Sequence, residues 1–136
     1  MDQLEKDIDS IINNVSKNSV DEAQTFSKAN VRFYDKHKQL TNEQLSNIKL
    51  NPDFVLVACN VVENLYEKSY KTDKKILASN MLKYTLTQKG LTYSVDELKI
   101  LEGIIESCHS RGAIKTISIK KKLGLKIGNF FLSLLK

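Results

Sequence analysis

Leu4, Ile8, Ile11, Ile12 and Val15 recur at the three- and four-residue intervals that place side chains on one side of an α-helix. The pattern predicts a helix of about four turns. Asp2, Glu5, Asp7 and Asp9 crowd its first turns, where the helix dipole favours negative charge. The apolar stripe fits either a core-facing surface or a short heptad seam for a partner helix. Ala23, Phe26, Ala29, Val31, Phe33 and Tyr34 mark a second helix. It is opened by Ser19-Val20-Asp21-Glu22, where a hydroxyl and a carboxylate three residues later satisfy two backbone donors reciprocally. Thr41-Asn42-Glu43-Gln44 repeats that signal ahead of Leu45 and Ile48.

Asn51-Pro52 is the clearest boundary, with Asn as the cap and Pro at the first helical position, where its missing N–H does no harm. From Phe54 to Tyr66 nearly every position is apolar, including Val55, Leu56, Val57, Ala58, Val61, Val62 and Leu65. A helix apolar on all sides belongs at the centre of a core. The valines leave a buried strand as the alternative, and the proline start and the length of the run favour helix. Thr72-Asp73 caps a further helix carrying Ile76, Leu77, Met81, Leu82 and Leu86, which stops at Gly90 with apolar Leu91 behind it. Ser94-Val95-Asp96-Glu97 is another capping box, and its helix carries Leu98, Leu101, Ile104, Ile105 and Cys108 before closing ahead of Gly112.

The last segment differs in kind. At the helical step, Ile119, Leu123, Ile127, Phe130, Phe131, Leu134 and Leu135 fall within an arc of roughly 160°, with Lys121, Lys122, Lys126, Asn129, Ser133 and Lys136 opposite. Lys120, Leu125 and Leu132 break the pattern, and Gly124 and Gly128 weaken a helix by about 1 kcal/mol each. The alternation Ile117-Ser118-Ile119-Lys120 also suits the start of a short strand. Four roles fit the segment. It is a last helix packed on the core, an interfacial helix on anionic lipid, an assembly element buried in a neighbouring subunit, or a phosphate-binding arm without sequence preference.

Charge sharpens this division. Glu106 is the last acidic residue, and Arg111, Lys115, Lys120, Lys121, Lys122, Lys126 and Lys136 follow it unopposed. The first 110 residues carry 14 basic and 16 acidic groups, whereas the net charge of the whole chain is +5. With 136 residues, only 1 Pro and 5 Gly, the composition suits long helices and one modest core rather than a sandwich or barrel. The expected architecture is all-α: a single compact domain of five to seven helices spanning 1–112, followed by a basic amphipathic helix or arm over 113–136. The acidic opening Met1-Asp2-Gln3-Leu4-Glu5 is no signal peptide, and no stretch reaches the roughly 20 apolar residues of a membrane span. A cytoplasmic or virion location, not a secreted one, is therefore expected.

Cys59 and Cys108, the only cysteines, sit inside apolar helical patterns and read as buried free thiols. His109 follows Cys108 directly, so on a helix the two side chains diverge, and no third ligand lies near in sequence. His37 lies in the charged run Asp35-Lys36-His37-Lys38 and is expected at the surface. No Gly-rich phosphate loop, nucleophile elbow or paired-carboxylate pattern appears. No catalytic residue, metal, cofactor or small-molecule substrate is assigned, and no enzymatic activity is expected. The helix, Gly90 break and helix from Thr72 to Gly112 invite a helix-turn-helix reading. Asp96, Glu97, Glu102 and Glu106 on its second helix would repel phosphates and argue against it.

Four short stretches carry a family resemblance: Val61-Val62-Glu63-Asn64-Leu65-Tyr66, Lys74-Lys75, the run from Lys83 through Lys89-Gly90-Leu91, and the run from Glu97 to Glu106. Over about 50 residues, from Val57 to Ser107, they resemble the cytosolic helical part of a small phage holin family, the LL-H type. Members of that family look like membrane proteins with an N-terminal span, which is missing from this sequence. The resemblance implies a phage origin and a shared helical module. The expected function is that of a phage or viral structural or assembly protein acting through helical protein contacts, as a homo- or hetero-oligomer. Lys120, Lys121, Lys122, Lys126, Ile127, Phe130, Phe131 and Leu134 would dock on a partner subunit or on nucleic acid. The alternative is a peripheral membrane protein, a holin-like accessory, using the same residues on anionic lipid.

Overall fold

The apolar run behind Pro52 forms the centre of the molecule. The computed structural model describes residues 3–16, 22–65 and 73–114. These hold six helices and no strand: α1 (Gln3–Ser16), α2 (Glu22–His37), α3 (Asn42–Ile48), α4 (Pro52–Leu65), α5 (Lys74–Gln88) and α6 (Val95–Ser110). Pro52 takes the first position of α4, Asp53 N–H donates to Asn51 Oδ1 at 2.8 Å, and Val55 N–H donates to the Asn51 carbonyl. Phe54, Val55, Ala58, Cys59, Val61 and Val62 are all buried, and α4 packs on α1, α2, α5 and α6. All-round apolarity thus becomes central position. The helix also buries two amides, Asn60 and Asn64, and the Asn64 amide nitrogen donates to the Asn60 carbonyl at 2.8 Å. That bond keeps a buried donor satisfied one turn back along the helix.

The first helix resolves between its two readings. Ile8, Ile11, Ile12 and Val15 are buried in the common core with Ala29 and Phe33 of α2, so the stripe is a core face. Around these, α5 packs on α2, α4 and α6, and the result is one compact all-helical domain.

Local chemistry sets the helix ends. Thr41 and Ser94 each form a complete capping box with Gln44 and Glu97 respectively. Asp73 caps α5 by accepting from Lys75 N–H at 2.8 Å. At the other end of α5, Gly90 adopts φ +72°, Leu91 N–H donates to the Leu86 carbonyl and Gly90 N–H to the Thr87 carbonyl. Gly112 (φ +66°) ends α6 with the same pair of bonds, from Ala113 N–H to Cys108 and from Gly112 N–H to His109. Both are Schellman stops, which need a left-handed residue that glycine adopts without cost. Ser94→Ala removes one cap partner and is expected to lower the unfolding free energy by about 1 kcal/mol, while Ser94→Gly costs a few tenths; urea unfolding measures both.

Not every apolar position that marks a helix faces the core: Ile76 and Val31 are 53% and 43% exposed. His37, expected at the surface, is half-buried: its ring lies 4.5 Å from Phe33 and 5.1 Å from Phe54, edge-on to the latter. Glu97, expected as the cap partner of Ser94, fills that role and also pairs with Lys49. Ser19, Tyr66, Thr72 and all of the C-terminal segment from position 115 lie outside the described residues.

Candidate interaction surface

Two shallow hollows mark the described surface. The first lies between α5 and α6, about 280 Å³ in volume, with Ile76, Ser79, Asn80 and Lys83 on one side and Glu102 and Ile105 on the other. Lys75 Nζ bridges to Glu106 Oε2 across its end at 2.7 Å. Exposed Ile76 gives this hollow an apolar wall, and its two lysines and two glutamates balance. It offers no net field to an anion; its chemistry suits an apolar side chain flanked by charges of either sign. The second, about 370 Å³, is formed by Asn14 of α1 with Ser27, Lys28, Val31, Arg32 and Asp35 of α2. Neither is lined by a cysteine or histidine.

The start of α6 is clamped to the corner between α3 and α4. Tyr93 O–H donates to the Lys49 carbonyl at 2.9 Å; in return Lys49 Nζ reaches Glu97 Oε2 at 2.8 Å and the Thr92 carbonyl at 3.2 Å. The same ammonium stands 5.7 Å from the centre of the Tyr93 ring. The Lys49 hydrogen bond, with the Ser94 backbone N–H adding to it, holds the Glu97 carboxyl below the usual range. Burial raises the Tyr93 phenol. From the other side, Lys89 Nζ donates to the Lys38 carbonyl at 3.0 Å and Asn42 donates to the Lys89 carbonyl at 3.2 Å. The α5–α6 turn is therefore stapled to residues 38–49 by groups that the capping signals alone do not reveal.

Both histidines are held below their ordinary value. His37 Nδ1 donates to the Phe33 carbonyl at 2.8 Å, and burial of the ring lowers its pKa despite that bond and the nearby Asp7. Burial also lowers His109, with Lys75 adding to the effect; its Nε2 has no partner among the described residues. A group with a depressed folded pKa takes up protons more readily in the unfolded chain. Its contribution to stability is therefore present above the unfolded value of 6.5 and is lost as pH falls from there through the folded value. The melting temperature is expected to fall between pH 7 and pH 5. His37→Gln should flatten that slope, and an unchanged slope would remove His37 from the account.

Cys59 and Cys108 are buried and free, as their apolar settings suggest. Burial first, and Cys108 beside it second, push the Cys59 thiol up to about 12. Among the described residues, no three His, Cys, Asp or Glu side chains converge on a point where a metal could be held. No helix among them is long and apolar enough to cross a membrane.

Every residue assigned from sequence to the docking segment lies outside the described residues: Lys120, Lys121, Lys122, Lys126, Ile127, Phe130, Phe131 and Leu134. What is described is the place the segment leaves from. Beyond the Gly112 stop, Ile114 packs half-buried against the core, next to the C-terminal end of α6. Comparison with family models, with curated proteins and with solved structures finds no match to this chain.

Proposed function

We propose that this chain is a non-enzymatic structural or assembly protein of a phage or virus, in which the helical domain carries a basic amphipathic segment that docks on a partner subunit. One observation carries the reading: after Glu106 the sequence has seven basic residues and no acidic one. Within that stretch, Lys120, Lys121, Lys122 and Lys126 come first and Ile127, Phe130, Phe131 and Leu134 last. Phosphate contact needs the lysines alone. The apolar end calls for a surface that buries it, and a protein partner supplies both an acidic rim and an apolar centre. The phage assignment rests on the LL-H-type resemblance of residues 57–107.

The lysines and phenylalanines together also suit an anionic membrane surface, which is the second reading. Reversing Lys120, Lys121 and Lys122 to glutamate tests the pair. In the assembly reading, the full chain sediments as an oligomer or complex without lipid, and the triple variant sediments as a smaller species. Flotation with anionic vesicles, lost in the triple variant, together with a monomeric wild type would replace assembly by the membrane reading. Binding to duplex DNA that falls steeply with salt, again with a monomeric wild type, would replace it by phosphate contact.

A further inference from the structure

One side of α6 holds it to the molecule, through buried Leu101, Ile105 and Cys108. At the helical step the side opposite them carries Lys99, Gly103, Glu106 and Ser110, all exposed. Ile100 and Val95 border this face and are 52% and 72% exposed. A Cβ added at Gly103 would meet nothing within 4 Å. No neighbour within the chain therefore calls for glycine there, although glycine in the middle of a helix weakens it. Asp96, Lys99 and Arg111 are exposed as well and make no ion pair among the described residues. Glu106 meets Lys75 of α5 through Oε2.

We propose that α6 pairs antiparallel with α6 of a second copy of this chain, about a two-fold axis at Gly103. Such a contact joins one patch to itself, so the patch must be self-complementary. Residues equally far before and after Gly103 stand level across it, and each flank meets the same flank of the second copy. Lys99 and Glu106 share one flank, four residues before Gly103 and three after it. Each lysine therefore stands within about 1.5 Å of helical rise of Glu106 of the second copy. Asp96 and Arg111 share the other flank, seven residues before and eight after, and match in the same way. Symmetry doubles both pairs. Gly103 falls where the two helices come closest, and a side chain there would hold them apart. Ile100, on the same flank as Ser107, comes to lie over Ser107 of the second copy. Charge complementarity thus selects this chain as the occupant of its own α6 face. Exposed ion pairs contribute little each and a single helix pair buries a small area, so the dimer is weak and sensitive to salt. The contact uses a face apart from the C-terminal segment and stands whether or not that segment docks as proposed above.

The test uses the full chain carrying Phe130→Asp and Phe131→Asp, which keeps association through the C-terminal segment out of the measurement. Sedimentation equilibrium at low salt, over a concentration series, is expected to show a reversible dimer that weakens as salt is raised. Lys99→Glu and Glu106→Lys are each added to that background and checked for native helicity by circular dichroism. Either one is expected to weaken self-association about tenfold or more, because each change acts twice across the axis. Mixed in equal amounts, the two variants should associate again as a dimer of one copy of each. One copy is then negative at both positions and the other positive at both. Asp96→Arg and Arg111→Asp give the same test on the other flank, clear of Lys75. A monomer at every concentration would overturn the pairing and leave the face to a partner other than this chain. A dimer indifferent to all the single reversals would overturn it too. So would single variants that dissociate and then fail to associate on mixing.

Discussion

Phe33→Ala is expected to lower the unfolding free energy by roughly 3–5 kcal/mol, the range for removing a large aromatic side chain from a packed core. Phe33 is fully buried on α2, its ring centre 5.7 Å from that of Phe54 on α4 and 4.5 Å from the ring of His37. Its loss opens a cavity at the contact of α2 with the central helix and strips His37 of one of the two rings that exclude water from it. A domain of this size has about 5–15 kcal/mol in total, so the variant should survive only marginally. Urea denaturation followed by circular dichroism gives the value. The companion effect is on titration: with the site wetter, the pKa of His37 should rise toward its ordinary 6.5. The loss of stability between pH 7 and pH 5 should then shrink. A cost below about 1 kcal/mol would place Phe33 outside the core.

Two adjacent residues of α5 should respond oppositely to the same substitution. Leu77 is 4% exposed and Ile76 is 53% exposed. Leu77→Asp puts a carboxylate into the apolar contact of α5 with its neighbours, where it must either stay charged without a partner or take up a proton. The expected cost is roughly 5 kcal/mol or more, enough to abolish a cooperative transition at neutral pH. Ile76→Asp leaves the carboxylate in water at the edge of the α5–α6 hollow, and its effect should stay within about 0.5 kcal/mol. Comparable losses in the two variants would contradict the orientation of α5.

That pair also shows how far the fold was legible in advance. The helices themselves were visible because periodicity and caps are local. Thr41 with Gln44, and Ser94 with Glu97, lie three residues apart, and both boxes form as expected. The central place of α4 followed from its apolarity on every side. Which flank an apolar residue takes was legible too, but only by counting rotation along each helix. At the helical step Ile76 falls nearly opposite Ala78, Met81 and Thr85, all buried, and a rotation count would have set it apart from Leu77. By the same count His37, one turn after Phe33, belongs on the core side. Its charged neighbours Asp35, Lys36 and Lys38 drew it to the surface instead.

Contacts between distant residues were not legible. The clamp of Lys49 on Glu97 depends on how the end of α3 is placed against the start of α6, and no local spacing encodes that. Glu97 reads as a cap from its spacing to Ser94, and its second role, accepting from Lys49, needs the fold. The docking segment stands differently again. Its charge and apolar arc are plain in the sequence, yet its residues lie outside those described, so its role rests on composition and pattern.

The central claim is that the apolar end of that segment is buried by another subunit while the helical domain stands on its own. Light scattering on the full chain beside the Phe130→Asp, Phe131→Asp double variant tests it most directly, with urea unfolding run in parallel. The expected result is an oligomer or complex for the wild type, a smaller particle for the variant, and an unfolding midpoint for the isolated variant that still reports an intact helical domain. A monomeric wild type, with a double variant of the same mass and unchanged stability, would contradict it.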